Sequence, residues 1–399
     1  MSTTARDEPH RGGARRRVAG RRPVHRGALV AAVAVIAVVA VLAGSGGAHG
    51  AAGTRPTDRA GATSRFVTAQ SSATAPQQDA EPVAPGTEVP AGIDESDPFL
   101  TVADGRYVLI TSGGRVPEPT NVPLVTSTDF VHWSAPVDAL PVLPGWASPG
   151  YTWAPDLHRF GSGYALYFTA SLANRTPQTE CIGSAFAATA GGPFTASPSP
   201  LICQLDQGGS IDPRVFVDRD GTAWMLWKSD QNIGGAVTPT KMWSQQLSAD
   251  GTHLLGAPSL LLSPDRAWQG SVVEAPDMVD VDGTYWVVYS ANWYNQPDYA
   301  IGVARCTGPA GPCTDTAPGP LLASNLQGAG PGEASVFDDG AGVWMLYSAR
   351  RSLAPYPDVP PRPVYITRLG FGAAGPYLAD GPLPTATDLL QVPLWSPTP

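Results

Sequence analysis

Charged residues are scarce in this 399-residue chain, at 15% of the total, whereas Gly (44) and Pro (42) are abundant. So little charge with so many turn formers argues against long helices and for an all-β fold. Basic residues are thinly and unevenly spread. A dense Arg cluster sits in the first 26 positions, leaving an acidic body within a net charge of -9, which argues against nucleic acid or an anionic membrane as partner. Cysteine is limited to four residues, with no CxxC and no histidine cluster near them. Cys181 and Cys203 lie about one hairpin apart and Cys306 and Cys313 bracket the turn "TGPAGP", so two local disulfides are expected rather than a metal site or thiol catalysis. His158 and His253 have no ligand spacing, and there is no Ser-His-Asp pattern or phosphate-cradling glycine loop.

Long apolar runs are also lacking, with one exception. Residues 28–43 are apolar, follow a basic flank and precede small residues, so 1–50 reads as an export signal. The run is shorter than the roughly 20 residues a spanning helix needs, and an uncleaved anchor is the alternative. Either way the body is expected outside the cytoplasm, secreted or membrane-anchored. Residues 51–92 are rich in Ala, Gly, Ser, Thr, Pro and Gln and read as a disordered linker.

What is present from there on is repetition. "SDPFLTVADGRYVLITSG" from 96, "WAPDLHRFGSGYALYFTAS" from 153, "SIDPRVFVDRDGTAWMLWKS" from 210, "EAPDMVDVDGTYWVVYSAN" from 274 and "EASVFDDGAGVWMLYSAR" from 333 share one pattern. An acidic entry and a Pro or Ser lead into an apolar strand, a Gly turn and a second apolar strand. The anchors Pro98, Pro155, Pro213, Pro276 and Ser335 recur at similar intervals, and each unit continues with weaker strands. Five such units predict a five-bladed β-propeller over 93–380, with 381–399 as a tail closing or flanking it. A β-sandwich or β-helix is the alternative fold.

First strands of propeller blades line the central channel, so the repeat gathers Asp97, Asp212 and Glu274 at one mouth, with Asp156 and Glu333 near them. A single Asp-Pro is a common turn; three acidic entries at corresponding places make a pocket. Glycoside hydrolysis uses such a set: one protonated carboxyl for the leaving oxygen and one carboxylate for water. A third carboxylate can raise the acid's pKa.

The motifs "SDPF", "WAPDL", "SIDPRVF" and "VVEAPDM", in this order, resemble glycoside hydrolase family 43, inverting five-bladed propeller enzymes acting on arabinose- and xylose-containing glycans. The resemblance covers residues 93 to about 377. It implies Asp97 as general base, Glu274 as general acid and Asp212 as the residue that tunes and positions the acid. It also implies a plant-wall polysaccharide or oligosaccharide as substrate, no cofactor for the chemistry, and a monomer. Many members carry a His in the fifth blade that helps hold an axial, water-bound metal; here "GPGEASVF" puts Glu333 there. A structural calcium on the axis is the corresponding expectation, and Glu333, matched with Glu274 in register, is the rival acid.

Trp153, Trp268 and Trp293, with Tyr294, are candidate sugar-stacking residues whose bland alternative is interblade packing. Asp156 and Arg350 are further substrate-binding candidates, and for Arg214 and Arg350 a salt bridge between blades competes. A secreted sugar-binding propeller without catalysis and a retaining fructan-type propeller are the alternative functions. The latter's Asn before the first Asp-Pro and Arg before the second are Ser96 and Ile211 here.

Overall fold

The computed structural model describes residues 87–379 except 93–95, 114–119, 236–237, 326–327, 339–341, 352–361 and 374. The expected export signal, most of the linker and the 381–399 tail lie outside the described residues. Strand β1 (Thr87–Glu88) comes first, and four four-stranded antiparallel meanders follow. Blade 1 holds β2 (Phe99–Ala103), β3 (Arg106–Ile110), β4 (Pro123–Ser127) and β5 (Val137–Asp138). Blade 2 holds β6 (Ala147–Phe160), β7 (Gly163–Leu172), β8 (Glu180–Ala187) and β9 (Thr195–Ala196). Blade 3 holds β10 (Ser210–Val217), β11 (Ala223–Ser229), β12 (Lys241–Leu247) and β13 (Leu254–Leu262). Blade 4 holds β14 (Val273–Val281), β15 (Thr284–Ala291), β16 (Ala300–Cys306) and β17 (Cys313–Asp315). Blade 5 runs through β18 (Ala329–Asp338), β19 (Val343–Arg350), β20 (Val364–Gly372) and β21 (Gly375–Ala379). The fold is a five-bladed β-propeller.

The ring is closed by the start of the described chain. β1 pairs antiparallel with β20, and the Val89 amide donates to the Val364 carbonyl at 2.8 Å. Thr87–Glu88 therefore belongs to the propeller, not to the linker that composition suggests. A two-residue edge strand carries no periodicity to detect, although Val89 and Ala91 behind it are buried.

Five apolar cores sit between successive blades. Val108 and Ile110 pack toward blade 2 while Leu109 packs toward blade 5; Leu166 faces blade 1 while Ala165 and Tyr167 face blade 3. The same alternation divides Met225 and Trp227 from Leu226, and Val287 from Val288. Strands buried on both faces need apolar groups at every position, which is why "YVLI", "ALYF", "WMLW", "WVVY" and "WMLY" are continuous runs. Both disulfides form, Cys181–Cys203 beside β8 and Cys306–Cys313 across β16 and β17.

Each inner strand enters through the same irregularity. In blades 2 to 5 a register shift separates Trp153 from Asp156, Ile211 from Arg214, Glu274 from Asp277 and Gly332 from Ser335. Its first inserted residue is left-handed, with φ of 45° at Ala154, 57° at Asp212, 50° at Ala275 and 54° at Glu333. Asp97, at φ 56°, takes the matching place just ahead of β2. Non-glycine residues in this region are strained, and a bulge re-aims the side chains around it. The repeated strain sits at one end of the five inner strands.

Candidate active site

The bulges corrected the register expected of blade 5. Glu333 is the left-handed residue, equivalent to Asp97 and Asp212, whereas Glu274 precedes the left-handed Ala275 and aligns with Gly332. The fifth anchor is accordingly Ala334, not Ser335. Blades 1 to 4 mark the position with Pro; blade 5 has no Pro there, which is why the sequence misleads by one residue.

From blades 1, 2 and 4, a hydroxyl near the end of the second strand pins the next blade's bulge. Ser112 Oγ accepts the Ala154 amide at 2.9 Å, Thr169 Oγ1 the Asp212 amide at 3.1 Å and Ser290 Oγ the Glu333 amide at 2.8 Å. Blade 3 breaks the rule. Lys228 pairs with Ile211 in that place, and its Nζ reaches past the pin to donate to Glu274 Oε2 at 2.8 Å, with Asp230 Oδ1 at 3.2 Å. The amide thereby left over, that of Ala275, donates to Asp212 Oδ2 at 3.0 Å. Asp212 and Glu274 are thus fixed side by side.

Four buried carboxyls converge from four blades. Asp212, Glu274 and Glu333 bring oxygens within 4.8 Å of one another. Asp97 accepts from Ser112 Oγ and, at 3.0 Å, from Arg362 Nη2. Tyr299 Oη lies 2.7 Å from Glu274 Oε1 and 2.5 Å from Glu333 Oε1. At an effective dielectric constant of about 20, two charges that close repel by roughly 3 kcal/mol, which is about two pKa units. Only Lys228 and Arg362 are seen to counter the four acids among the described residues. Burial first, then Glu274 and Asp97, raises the Asp212 carboxyl to about 7 against the pull of Lys228. Glu333 is held well above the ordinary range by burial and by Asp97, Asp212 and Glu274. The cluster therefore retains a proton at neutral pH, beside carboxylates that can accept one.

The cluster fits a hard divalent cation poorly. Such an ion wants six or more oxygens and uncompensated negative charge. Here the ammonium of Lys228 and the guanidinium of Arg362 already occupy the carboxylates' outer sides, and the Tyr299 hydroxyl fills the gap between two of them.

The remaining expected residues divide by layer. Trp153 is half-buried in the register position of Glu274, and Trp293 is half-buried in the turn that its carbonyl closes with the Gln296 amide. Exposed Tyr294 lies over the Arg362 guanidinium at 5.6 Å, beside the Asp97 end of the cluster. Trp268 instead stacks on Tyr289 at 6.1 Å in the core between blades 3 and 4. Its ring face serves packing, because the turn holding it folds back under Gln269, which bonds Tyr289 and Asp315. Asp156 is fully buried two residues beyond its bulge; it accepts the Val215 amide at 3.0 Å and faces Arg214 at 3.5 Å, so it joins blades 2 and 3 rather than reaching substrate. Buried Arg350 donates to the Tyr294 carbonyl, bracing the rim loop.

Lys228, Tyr299, Arg362 and Ser112 were missed by sequence reasoning. Lys228 alone left a trace, as the one cation in the apolar run "WMLWKS".

The family model for glycosyl hydrolases family 43 matches residues 91–375. The chain is similar to the extracellular endo-α-(1→5)-L-arabinanase 1 of Bacillus subtilis (strain 168), with 22% identity over 65% of this chain and 82% of that protein. It is similar to the β-D-galactofuranosidase xynD of Aspergillus niger (strain ATCC MYA-4892 / CBS 513.88 / FGSC A1513), with 26% identity over 64% of this chain and 74% of that one. Among solved structures, a thermostable family-43 glycoside hydrolase superposes with a TM-score of 0.63 at 26% identity, covering 75% of this chain and 98% of the other. The chain belongs to glycosyl hydrolase family 43 and is a glycoside hydrolase. The non-catalytic propeller gives way to this finding.

Proposed function

We propose that this chain is a secreted hydrolase that cleaves arabinose- or xylose-containing plant polysaccharides or oligosaccharides with inversion at the anomeric carbon. Asp97 is the general base, taking a proton from water as that water attacks; Glu274 is the general acid, giving a proton to the departing glycosidic oxygen. Asp212 positions the acid and, by its charge, keeps a proton in the cluster. The observation that supports this reading is the convergence of Asp212, Glu274 and Glu333 from blades 3, 4 and 5, with Asp97 of blade 1 close enough to act on Asp212 yet held by its own cation, Arg362. That separation suits the roles, since base and acid do different work and need different surroundings. Trp153, Trp293 and Tyr294 offer faces for sugar at the rim. The arabinanase and galactofuranosidase relatives both have furanoside-cleaving names, which supports a furanose in the pocket, and the arabinanase is named extracellular.

The test is a screen of the purified enzyme against 4-nitrophenyl α-L-arabinofuranoside, β-D-xylopyranoside and β-D-galactofuranoside and against linear arabinan. The anomer released first is followed by NMR. Cleavage of an arabinofuranoside or xyloside with inversion is expected. Retention, or activity confined to the galactofuranoside, would overturn the mechanism or the substrate respectively.

A further inference from the structure

Glu333 has no task in the hydrolysis as described, yet one atom ties it to the acid. The Tyr299 hydroxyl has a single proton and touches both Glu274 and Glu333. If both carboxyls were ionised, one of these short contacts would hold no proton at all. Both become hydrogen bonds only when one carboxyl brings a proton of its own. The surroundings decide which. Glu274 also accepts from the Lys228 ammonium at 2.8 Å, so its Oε2 already acts as an acceptor, while Glu333 is buried among Asp97, Asp212 and Glu274. The resting pattern is therefore Glu333 donating to Tyr299 Oη, and Tyr299 donating to Glu274 Oε1.

Tyr299 is built to pass a proton without keeping a charge. Burial, then Glu274 and Glu333, pushes its phenol well above the ordinary value, so it gives a proton up only as it receives one. Its ring is held by Gly332, where an added Cβ would run into Tyr299 ring carbons. The clamp is adjacent in sequence to Glu333.

We infer that Glu333 is the proton reservoir of this enzyme and loads Glu274 through the Tyr299 hydroxyl. The inference rests on the reading of Glu274 as the acid. In the step, the Glu333 O–H bond breaks as a new bond forms at Tyr299 Oη, and the original Tyr299 proton moves to Glu274 Oε1. Tyr299 ends with one proton, Glu333 is ionised facing Arg362, and Glu274 is protonated. Glu274 then gives that proton to the leaving oxygen while Asp97 takes one from the attacking water. Asp97 returns its proton to bulk water and Glu333 regains one from bulk water, so one water is consumed per bond cleaved. The relay fits the geometry of the acid: Lys228 already donates to Glu274 Oε2, and the other oxygen, Oε1, is the one Tyr299 touches.

Wild type, Tyr299→Phe, Glu333→Gln and Glu274→Gln should be compared on 4-nitrophenyl and methyl α-L-arabinofuranoside, the second having a leaving group that requires a proton. Tyr299→Phe keeps the ring and its packing; Glu333→Gln is the independent second variant. Each is expected to lose roughly tenfold or more in kcat on the methyl glycoside and under about threefold on the nitrophenyl one, with the basic limb of the kcat profile lowered by about one pH unit. Equal losses on both substrates with the basic limb unmoved, in both variants, would overturn the relay, and selective loss in Glu274→Gln would leave the acid assignment standing. Selective loss in Glu333→Gln without it in Glu274→Gln would make Glu333 the acid and overturn both readings.

Discussion

Two layers of charge lie at the inner strands, two residues apart on β10 and three on β14, and they are put to opposite uses. The upper ring, at the bulges, holds Asp97, Asp212, Glu274 and Glu333 around Lys228 and Arg362. The lower ring holds Asp156 and Asp277 on either side of Arg214, at 3.5 and 3.6 Å, with Phe99 5.1 Å beneath the guanidinium. In the lower ring both acids also accept an amide from the following blade, Val215 for Asp156 and Val336 for Asp277. Those carboxylates are consumed by joining blades. In the upper ring the hydroxyls of Ser112, Thr169 and Ser290 take three of these amides and leave Asp97, Glu274 and Glu333 to face one another, while Asp212 accepts the Ala275 amide as well as facing Glu274. Where the acids sit on the strand is less decisive than which groups take the backbone donors.

The largest effect that would break this contrast is expected in the upper ring. Glu274→Gln should lower kcat on a substrate with a poor leaving group by about 10²- to 10⁴-fold while the melting temperature holds or rises, read by initial rates and calorimetry. Its counterpart is Arg214→Met. Removing the guanidinium that lies between these two buried carboxylates should cost roughly 3–5 kcal/mol in urea unfolding, with activity per folded molecule largely retained.

A third prediction uses pH. Burial raises Asp277 to about 7 from its ordinary 3.8, against the pull of Arg214. Its folded pKa lies above its unfolded one, so its contribution to stability is complete below about 4 and is lost as pH rises through about 7, by a few kcal/mol at most. Wild-type melting temperature should fall between pH 5 and 8, and Asp277→Asn should flatten that fall. Asp212 shifts in the same direction, so some slope remains. The smallest effect belongs to the rim, where Tyr294→Ala should raise KM by roughly fivefold with kcat nearly unchanged.

The sequence carried the fold well because blades buried on both faces write themselves as apolar runs between Gly turns. Asp97 and Asp212 were legible because Pro follows a left-handed Asp, and Glu274 because Ala-Pro follows it. Glu333 was visible but misaligned, since Ala334 takes the place where the other blades have Pro. Tyr299 and Arg362 were not legible: they arrive from the loop ahead of β16 and the segment ahead of β20, and only ring closure brings them beside carboxyls tens to hundreds of residues away. Trp268 and Asp156 show the converse. Each flanks an acid motif in sequence, yet one packs on Tyr289 and the other joins two blades.

The central claim, that the upper ring does chemistry and the lower ring holds the blades, is tested most directly by a matched pair, Asp97→Asn and Asp156→Ala, with kcat per folded molecule and melting temperature measured on both. Asp97→Asn is expected to lose kcat by about two orders of magnitude or more with little change in melting temperature. Asp156→Ala is expected to lose several degrees or more of melting temperature while its folded fraction still turns over. Asp97→Asn that remains active, or Asp156→Ala that is stable but inactive, would contradict the account.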